Sequence, residues 1–593
     1  MQNRKMSRLL AYPIIITVML ITGCQSVEPL PALPRSIETI ADDYVEALLN
    51  RYPSIATSYG LQGRRHNRLF DNSLPALSNW QAKEDAFLKE LLEHDALFTV
   101  GSRDWVTYGF LIETLSASQV TRICRKELWE TSTATAWYTG LPFIFDVQPL
   151  ATTAERADAL VRLGAVAGYI DTEISNLTLG LAKGYSSPQL TVVDVPAQVR
   201  ALLNPDNPFL NMGRRSGDTG FEATVKTIYE QSIQPALHRF IDYIETQYLP
   251  NARTEIAISN NPDGAQCYTA VIRAFSSLPA SPSEIHAAGL VQMASIRAEM
   301  RTVIDTHFNG EATETFLRRI NQDPAFTFVS EQAVLEFSVQ ALAQARERMN
   351  DVFDLLPKAS VLIKPYPDFA ASGSGEYHSS SEDGVRPGIY YIAVAEPNLR
   401  TQATQQSTLY HETYPGHHLQ GALALELGDK VHPIARYLGN AGYSEGWALY
   451  SERLADELNL YSRPLDRMGL LSDQGARAAR MVIDTGIHTL GWSRGQAVDY
   501  MLNNCGWSRF DIENEINRYI SWPGQANAYM LGMLEINRLR ALAQDQLGKQ
   551  FDLKTFHRRV LENGSVTLPM VEAAILDWIE STPINTSATS HPD

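Results

Sequence analysis

Three imidazoles and one carboxylate fall within the eight residues from His411 to His418, whose sequence is H-E-T-Y-P-G-H-H. Histidine nitrogen is a common zinc ligand, and a glutamate directly after a ligating histidine can act as a base for an attacking water. In the usual helical motif, H-E-x-x-H, the two histidines lie one turn apart on one face. Here Pro415 stands where that motif has its second histidine, and the next imidazoles follow at His417 and His418. The stretch therefore predicts a metal site of altered geometry.

Pro415 and Gly416 predict a break in any helix that carries this motif. Proline lacks the amide proton and clashes with the preceding turn. In an unbroken helix His411 and His418 would lie about 10 Å apart along the axis, too far to share one zinc through bonds of about 2 Å. A bulge at Pro415 can bring a second imidazole to the metal. The residues alone leave open whether it is His417 or His418.

A second segment, from Gly442 to Glu452, supplies acidic groups further along the chain. Its apolar and aromatic residues predict a helix through Leu454, with Glu445 near its start and Glu452 two turns later on the same face. Glutamates on helices are usually solvated. The aromatic and glycine residues around Glu445 instead indicate a close-packed segment, in which a lone carboxylate needs a partner. Glu445 is therefore a candidate third ligand.

Four motifs resemble those of the bacterial family called domain of unknown function 885: His411 to His418, Glu445 to Tyr450 (E-G-W-A-x-Y), Asp484 to His488 (D-T-G-I-H) and Pro523 to Tyr529 (P-G-Q-A-x-x-Y). That family is similar to the mostly helical zinc peptidases typified by angiotensin-converting enzyme and thimet oligopeptidase. The resemblance implies a mainly α fold with a deep cleft, a small β-sheet beside the site, and one Zn²⁺ per chain. Matching the shared Gly-His pair makes His417 the second ligand, beside His411 and Glu445, with His418 as the alternate.

Residues downstream of the ligands are candidates for catalysis. Amide hydrolysis needs a donor aimed at the developing oxyanion, and the resemblance suggests Tyr529 or His488 for that role. Asp484 lies four residues before His488 on the same helical face, where it can orient a metal ligand. The alternatives are a core position for Tyr529 and an internal hydrogen bond between Asp484 and His488.

One β segment precedes the metal motif. The run from Pro387 to Val394 predicts a strand, and an edge strand beside a zinc site can pair with an extended peptide, main chain to main chain. On this interpretation Tyr390 and Tyr391 contact the substrate, while Arg386 or Arg480 receives a substrate carboxylate. The alternative is an ordinary hairpin that covers the core, with the arginines in structural pairs.

The amino terminus predicts export. Residues 1–23 combine three basic side chains with an apolar run and end directly before Cys24. This is the pattern of a secretory signal with a lipoprotein cleavage site, because the run is too short for a transmembrane helix and Pro13 interrupts it. Cys24 is then the lipidated first residue, and residues 24–35 form a tether. By resemblance to sorting rules, Gln25 directs the lipoprotein to the outer membrane, facing the periplasm.

Helical periodicity predominates in the remaining chain, which is long enough for one large or two ordinary domains. It is clearest over 154–179, 221–248, 282–308, 330–355 and 530–547. The turn-forming run from Asn260 to Gly264 marks a seam. We therefore predict an N-terminal helical half over 36–262, a catalytic half over 263–580 and a flexible tail over 581–593.

The charge and the cysteine content of the chain limit the kinds of binding partner that we expect. Removing the three basic residues of the signal takes the formal net charge from −17 to −20, which disfavours nucleic acid and anionic membrane surfaces. Membrane attachment is then expected only through the lipid anchor. Besides Cys24 the chain has only Cys124, Cys267 and Cys505. At most one disulfide is possible among them, and we expect buried thiols. No pattern in the sequence indicates an oligomeric state.

These residues predict zinc-dependent hydrolysis of exported or periplasmic peptides. Glu412 would take a proton from the attacking water and pass it to the leaving amine. One alternative is a non-catalytic lipoprotein that binds peptides or cell-wall fragments, and another is a metal-dependent hydrolase of a different amide or ester. The glutamate beside His411 favours catalysis, because a pure binding site does not need that base.

Overall fold

The structure is a computed structural model that describes residues 35–61, 63–94, 98–366, 375–437 and 439–583. The predicted signal peptide, the lipidated Cys24 and nearly all of the predicted tether lie outside the described residues. Most of the predicted tail, 581–593, also lies outside them.

The described chain is mainly helical, as predicted. The first half of the helices comprises α1 (Ile37–Arg51), α2 (Pro53–Ser58), α3 (Leu74–Leu92), α4 (Arg103–Thr121), α5 (Trp137–Asp146), α6 (Thr153–Gly164), α7 (Val166–Ala182), α8 (Gln189–Val192), α9 (Val195–Ala201), α10 (Pro208–Arg215), α11 (Thr219–Ile228), α12 (Gln234–Tyr243) and α13 (Leu249–Asn251). Two π-helical turns, Tyr229–Ile233 and Ile244–Tyr248, join the last three of these.

The second half comprises α14 (Gly264–Ser276), α15 (Pro282–His307), α16 (Thr313–Arg319), α17 (Glu331–Val352), α18 (Gln405–Glu412), α19 (His417–Glu426), α20 (Ile434–Tyr437), α21 (Ala441–Glu457), α22 (Pro464–Leu490), α23 (Arg494–Leu502), α24 (Arg509–Ser521), α25 (Ala528–Leu547), α26 (Leu553–Leu561) and α27 (Leu568–Ser581). Short 3₁₀ turns lie at Arg122–Cys124, Lys126–Leu128, Ile258–Asn260, Pro397–Leu399, Gly428–Lys430, Gln525–Asn527 and Gly548–Gln550.

Helix α15 shows why local sequence predicted the long helices well. Ser281 caps it and forms a capping box with Glu284, and Pro282 occupies the first turn, where its missing amide proton costs nothing. Its apolar stripe faces α22, where a Cβ at Gly289 would lie 2.9 Å from Met481 Cβ. The glycine therefore lets the two helices approach closely.

Helix α22 is buried on all sides for most of its length. It nevertheless carries many polar side chains, and a buried polar group needs a hydrogen-bond partner. Two examples show such partners. The main-chain amide of Gly506, between α23 and α24, donates to Ser472 (2.7 Å), and Gln474 donates to Glu452 of α21 (2.8 Å). The buried helix is thus fixed in rotation by polar contacts as well as by packing.

Glycines also set the contact between α21 and α25. A Cβ on Gly532 would lie 1.8 Å from the carbonyl oxygen of Gly442 and 2.7 Å from Gly446 Cα. The two helices therefore touch backbone to backbone. This contact brings the start of α25, with Tyr529, close to Glu445 on α21.

The three-stranded sheet corrects one prediction. Strands β1 (Val361–Pro365), β2 (Glu376–His378) and β3 (Gly388–Ile392) have the order β1-β3-β2, with β1 parallel and β2 antiparallel to β3. The predicted strand, β3, is therefore central, and both of its edges are already paired. The predicted pairing of β3 with a peptide is wrong for this reason, and the outer edge near the metal motif belongs to β2.

The predicted halves share a hydrophobic core. One buried cluster extends from Val106 to Trp578 and contains residues on both sides of position 262, and the chain from Ile37 onward forms one compact unit. Cys124 and Cys267 form a disulfide across a separation of 143 residues, so the expectation of buried thiols is wrong for this pair. Cys505 is a free buried thiol. No helix among the described residues combines the length and apolarity needed to cross a bilayer.

The glycine contact predicts the effect of one added methyl group. Gly532→Ala should lower the free energy of unfolding by about 1–3 kcal/mol or more, because α21 and α25 must separate. Gly168→Ala is the matched control: that helical glycine of α7 has open space around its Cβ position, and alanine there should stabilise by about 0.5–1 kcal/mol. Denaturant unfolding measures both. Equal effects of the two substitutions would contradict the close contact.

Candidate metal centre

The predicted break in the motif is present. Helix α18 ends at Glu412 and α19 begins at His417, with a cis peptide bond before Pro415. The carbonyl of Pro415 accepts hydrogen bonds from the Trp447 indole (3.0 Å) and the Ser451 hydroxyl (3.1 Å), both on α21. A Cβ on Gly416 would lie 1.9 Å from the His411 carbonyl oxygen. Only glycine therefore fits this position.

The break gathers three potential ligands. Glu445 Oε2 lies 3.4 Å from His411 Nε2 and 3.5 Å from His417 Nε2, and the three ligand atoms lie within 4.8 Å of one another. Ligands of a tetrahedral zinc with bonds of about 2.1 Å are separated by about 3.4 Å. Two nitrogens and one carboxylate oxygen also match the donors that Zn²⁺ takes in catalytic sites. The residues therefore fit the predicted metal.

The electrostatics of this triad, His411, His417 and Glu445, favour a cation. Burial would lower the pKa of His411, but its hydrogen bonds to Glu445 and Glu452 outweigh burial and raise it to about 9. Burial would raise the pKa of Glu445, but both histidines hold it well below its usual value. His417 and Glu445 each keep about a fifth of their side-chain surface exposed, 20% and 21%, against 6% for His411. The triad is therefore reached from the His417 side.

Glu452 was not predicted to act at the site, yet it holds the first ligand. Its Oε1 lies 2.9 Å from His411 Nδ1, and its Oε2 accepts from Gln474 (2.8 Å). A carboxylate behind a ligating imidazole fixes the ring and its tautomer, which leaves Nε2 for the metal. The sequence does contain a signal for this role. Glu452 follows Glu445 by two turns on the same face of α21, so both carboxylates face the same side.

His418, the alternate ligand, points into the core. Its Nδ1 accepts from the Tyr377 hydroxyl (2.9 Å), and its Nε2 donates to the Ala359 carbonyl (3.1 Å). Burial lowers the pKa of this fully enclosed ring to about 4. Both nitrogens thus connect α19 to the sheet region, and neither faces the triad.

Glu412 lies between the triad and the sheet. Its carboxylate accepts from the main-chain amide of Tyr377 on the edge strand β2 (3.1 Å). Burial raises the pKa of Glu412, although His417 and His411 partly oppose this. A carboxyl with a raised pKa is better matched to proton transfer near neutral pH.

Tyr529, at the start of α25, lies close enough to Glu445 to respond to its charge. Burial and then the charge of Glu445 raise the pKa of its hydroxyl, which keeps the hydroxyl protonated. The guanidinium carbon of Arg480 lies 4.5 Å from the centre of the Tyr529 ring. The contact between α21 and α25 places the start of α25 near Glu445, and the role of Tyr529 as an oxyanion donor stays a prediction.

With this geometry the chain can be compared with known proteins. The family model described as "Bacterial protein of unknown function (DUF885)" matches residues 53–575. The chain belongs to this family. The resemblance inferred from the four motifs is confirmed at that level, and the description of DUF885 names no activity.

Two solved structures share the fold of this DUF885 chain. One is described as "the putative lipoprotein from Colwellia psychrerythraea", with a TM-score of 0.84 and 26% identity over 92% of this chain and 100% of that chain. The other, "a putative lipoprotein of unknown function from Shewanella oneidensis", has a TM-score of 0.74 and 17% identity over 91% of this chain and 100% of that chain. The second likeness shows the fold alone. No curated protein matches the chain.

Two further motif residues of DUF885 serve the core rather than the metal centre. His488 accepts the Ile258 amide at Nδ1 and donates to the Tyr519 carbonyl from Nε2, both at 3.1 Å, so its predicted catalytic role does not fit. Asp484 accepts from three donors, Tyr268, Gly524 and Asn527. None of these is a ligand, so the predicted orienting role of Asp484 does not fit either, and Glu452 occupies that position.

The predicted substrate-binding residues are also placed differently. Tyr390 is fully buried beneath Gly375, where a substrate has no access to its ring. Tyr391 projects to the other face of the sheet and packs against Tyr366 and His378. Arg386 is exposed and donates to the Ser379 carbonyl within its own hairpin (3.0 Å). The predicted substrate role of Tyr390 therefore does not fit this arrangement, and the substrate roles of Tyr391 and Arg386 stay predictions.

The two histidines of the motif can be separated by metal content. Wild-type protein purified with added zinc should carry about one zinc per chain, and His417→Ala should lose it. His418→Gln should retain it, because a glutamine can offer one donor and one acceptor to the partners of His418. Elemental analysis measures the zinc. Zinc loss in His418→Gln with retention in His417→Ala would contradict the assignment.

Proposed function

We propose that this protein is a zinc-dependent peptidase whose helical body encloses the metal site, as in the zinc peptidases that its motifs resemble. The observation that carries the proposal is the convergence of His411, His417 and Glu445, with Glu412 directly beside them. A site that only bound a metal would not need the additional carboxylate of Glu412. Its presence beside the triad therefore supports catalysis. Tyr529 adds a protonated hydroxyl on the side of Glu445.

Each residue of the site has a separate role in the proposed hydrolysis. His411, His417 and Glu445 would hold Zn²⁺, which when bound would supply a Lewis acid for the scissile carbonyl and the attacking water. Glu412 accepts a proton from the attacking water and delivers it to the leaving amine. Glu452 keeps His411 in one orientation and tautomer. Tyr529 donates a hydrogen bond to the oxyanion.

The geometry of the sheet favours a peptide as the class of substrate. Strand β2 is an outer strand of the sheet, and the amide of Tyr377 points away from β3 towards Glu412. An extended peptide can add to such an edge through main-chain hydrogen bonds. It would then lie alongside Glu412, where the base can act on it. Exported and periplasmic peptides are the proposed substrates.

Replacing the base tests catalysis separately from metal binding. Glu412→Gln should retain about one zinc per chain and lower the rate of peptide cleavage by a factor of about 10² to 10⁴. Cleavage of a mixed peptide library, followed by mass spectrometry, measures the rate, and elemental analysis measures the zinc. Glu426→Gln, a helix carboxylate of α19 that caps the amides of Lys358 and Ala359, is the control and should cleave normally.

Two outcomes would reject a peptidase. Zinc-loaded wild-type protein that binds library peptides without cleaving them would indicate the non-catalytic binding protein. Cleavage of other amides or esters, with no peptide cleaved, would indicate the alternative hydrolase.

We also propose that the chain is a lipoprotein anchored through Cys24, facing the periplasm from the outer membrane. The descriptions of the two similar solved structures and the signal pattern of residues 1–23 support this proposal.

Cys24→Ala tests the anchor. The variant should move from the membrane fraction to the soluble periplasmic fraction, because a lipid chain would be its only attachment. Fractionation with immunodetection measures the distribution. Cys505→Ala, which removes a buried thiol, should leave the distribution unchanged, and a Cys24→Ala variant that stays in washed membranes would contradict the anchor.

A further inference from the structure

A cluster of buried charges lies beside Tyr529. Arg480 donates through Nη2 to Glu515 (2.9 Å) and through Nε to the Tyr519 hydroxyl (2.9 Å). Arg518 donates to the same Glu515 carboxylate through Nε (3.0 Å) and Nη2 (2.9 Å). Two cations thus share one carboxylate, and the group carries an excess positive charge.

The remaining nitrogen of Arg480 is unsatisfied. Its Nη1 is enclosed and has no hydrogen-bond partner among the residues that the structure describes, and the whole residue is only 6% exposed. A buried donor on a charged group is costly to leave unpaired, and arginine is suited to binding carboxylates through several nitrogens. An anion at Nη1 would accept a hydrogen bond from this donor and would offset the excess positive charge.

Three aromatic rings surround this guanidinium. Its central carbon lies 4.5 Å from the centre of the Tyr529 ring, 5.6 Å from that of Trp507 and 5.8 Å from that of Tyr519. The Tyr529 and Trp507 rings are partly exposed, so the cluster lies just beneath a surface that a ligand can reach. A rigid, partly desolvated guanidinium is a stronger anion site than a solvated one.

The neighbouring Arg477, one turn earlier on α22, shows the contrast. Its guanidinium lies 3.5 Å from Asp473 and 3.9 Å from Glu452. Two carboxylates therefore face Arg477, whereas Arg480 shares a single one with Arg518. The excess positive charge belongs to Arg480 and its surroundings.

We propose that Arg480 binds a carboxylate of the substrate, so that this protein selects acidic peptides or peptide C-termini near the bond it cleaves. The inference rests on the proposed peptidase function. Tyr529 connects the two sites, because the contact between α21 and α25 brings the start of α25 close to Glu445 and the Tyr529 ring packs against Arg480. A peptide held at the metal centre would extend past Tyr529 and place a carboxylate at Nη1.

Matched peptide libraries test this selection without relying on turnover. Zinc-loaded Glu412→Gln protein is equilibrated with mixed-sequence pentapeptides as free acids and as C-terminal amides, and bound peptides are quantified by mass spectrometry. Free acids should be retained about tenfold or more over amides if the C-terminal carboxylate binds Arg480. Enrichment of Asp or Glu over Asn or Gln among the amides would instead identify a side-chain carboxylate. Either preference supports the proposal.

Variants locate the preference at Arg480. In the Glu412→Gln background, Arg480→Gln should abolish it while zinc content is unchanged, and Arg480→Lys should keep part of it, because lysine retains the charge without the planar fork. Arg453→Gln is the matched control, since it removes another arginine paired with a glutamate, Glu299, and should keep the full preference. Thermal unfolding of each variant checks that it is folded.

Three outcomes would overturn the proposal. Wild-type protein that cleaves acids and amides equally, with equal binding by Glu412→Gln and no enrichment of Asp or Glu over Asn or Gln, would refute the carboxylate site and leave the peptidase function intact. A preference that survives in Arg480→Gln would place the site elsewhere. Protein that neither binds nor cleaves any library member would refute the peptidase function and this inference together.

Discussion

The carbonyl of Pro415, held by Trp447 and Ser451, is the interaction on which the metal centre depends. A proline in the middle of a helix frees backbone groups that must find new partners when they are buried. Here α21 supplies those partners, and the same helix carries Glu445 and Glu452. The break and the third ligand are therefore positioned by one element. A change in the position of α21 would displace the bulge and the carboxylates together.

Close helix packing extends this arrangement to the surrounding shell. The glycine contact between α21 and α25 brings Tyr529 to Glu445, and the buried helix α22 supplies Gln474 behind Glu452 and Arg480 beneath Tyr529. Gln474, Glu452 and Arg480 are buried and make hydrogen bonds, which limits the rotation of the helices that carry them. The position of the site thus depends on two features. Glycines permit the helices to approach closely, and buried polar groups fix how each helix is rotated against its neighbours.

Local signals in the sequence were sufficient for the long helices and the break at Pro415. Each depends on residues within a few turns of one another, such as the Ser281 cap of α15 or the Pro415-Gly416 pair. The choice of His417 over His418 as a candidate ligand came from the family resemblance, because the spacing alone is compatible with either histidine. The partners of His488 could not be predicted from local signals, because its Nδ1 binds an amide 230 residues earlier in the chain. The order of the strands was missed for a similar reason. The sequence of β3 is compatible with an edge or a centre, and only its pairing with both β1 and β2 decides between them.

The Cys124–Cys267 bond has a consequence for a protein that is proposed to work outside the cytoplasm. It joins the helices before α5 to α14, and the segment between the two cysteines includes α5 to α13, with its own cluster of buried residues. A protease that cut the chain anywhere within that segment would leave two fragments still covalently joined. The polypeptide would be nicked, but the two pieces could not diffuse apart, and the shared core would keep them in register. In an oxidising compartment that contains proteases, such a bond would hold the protein together after a single cleavage.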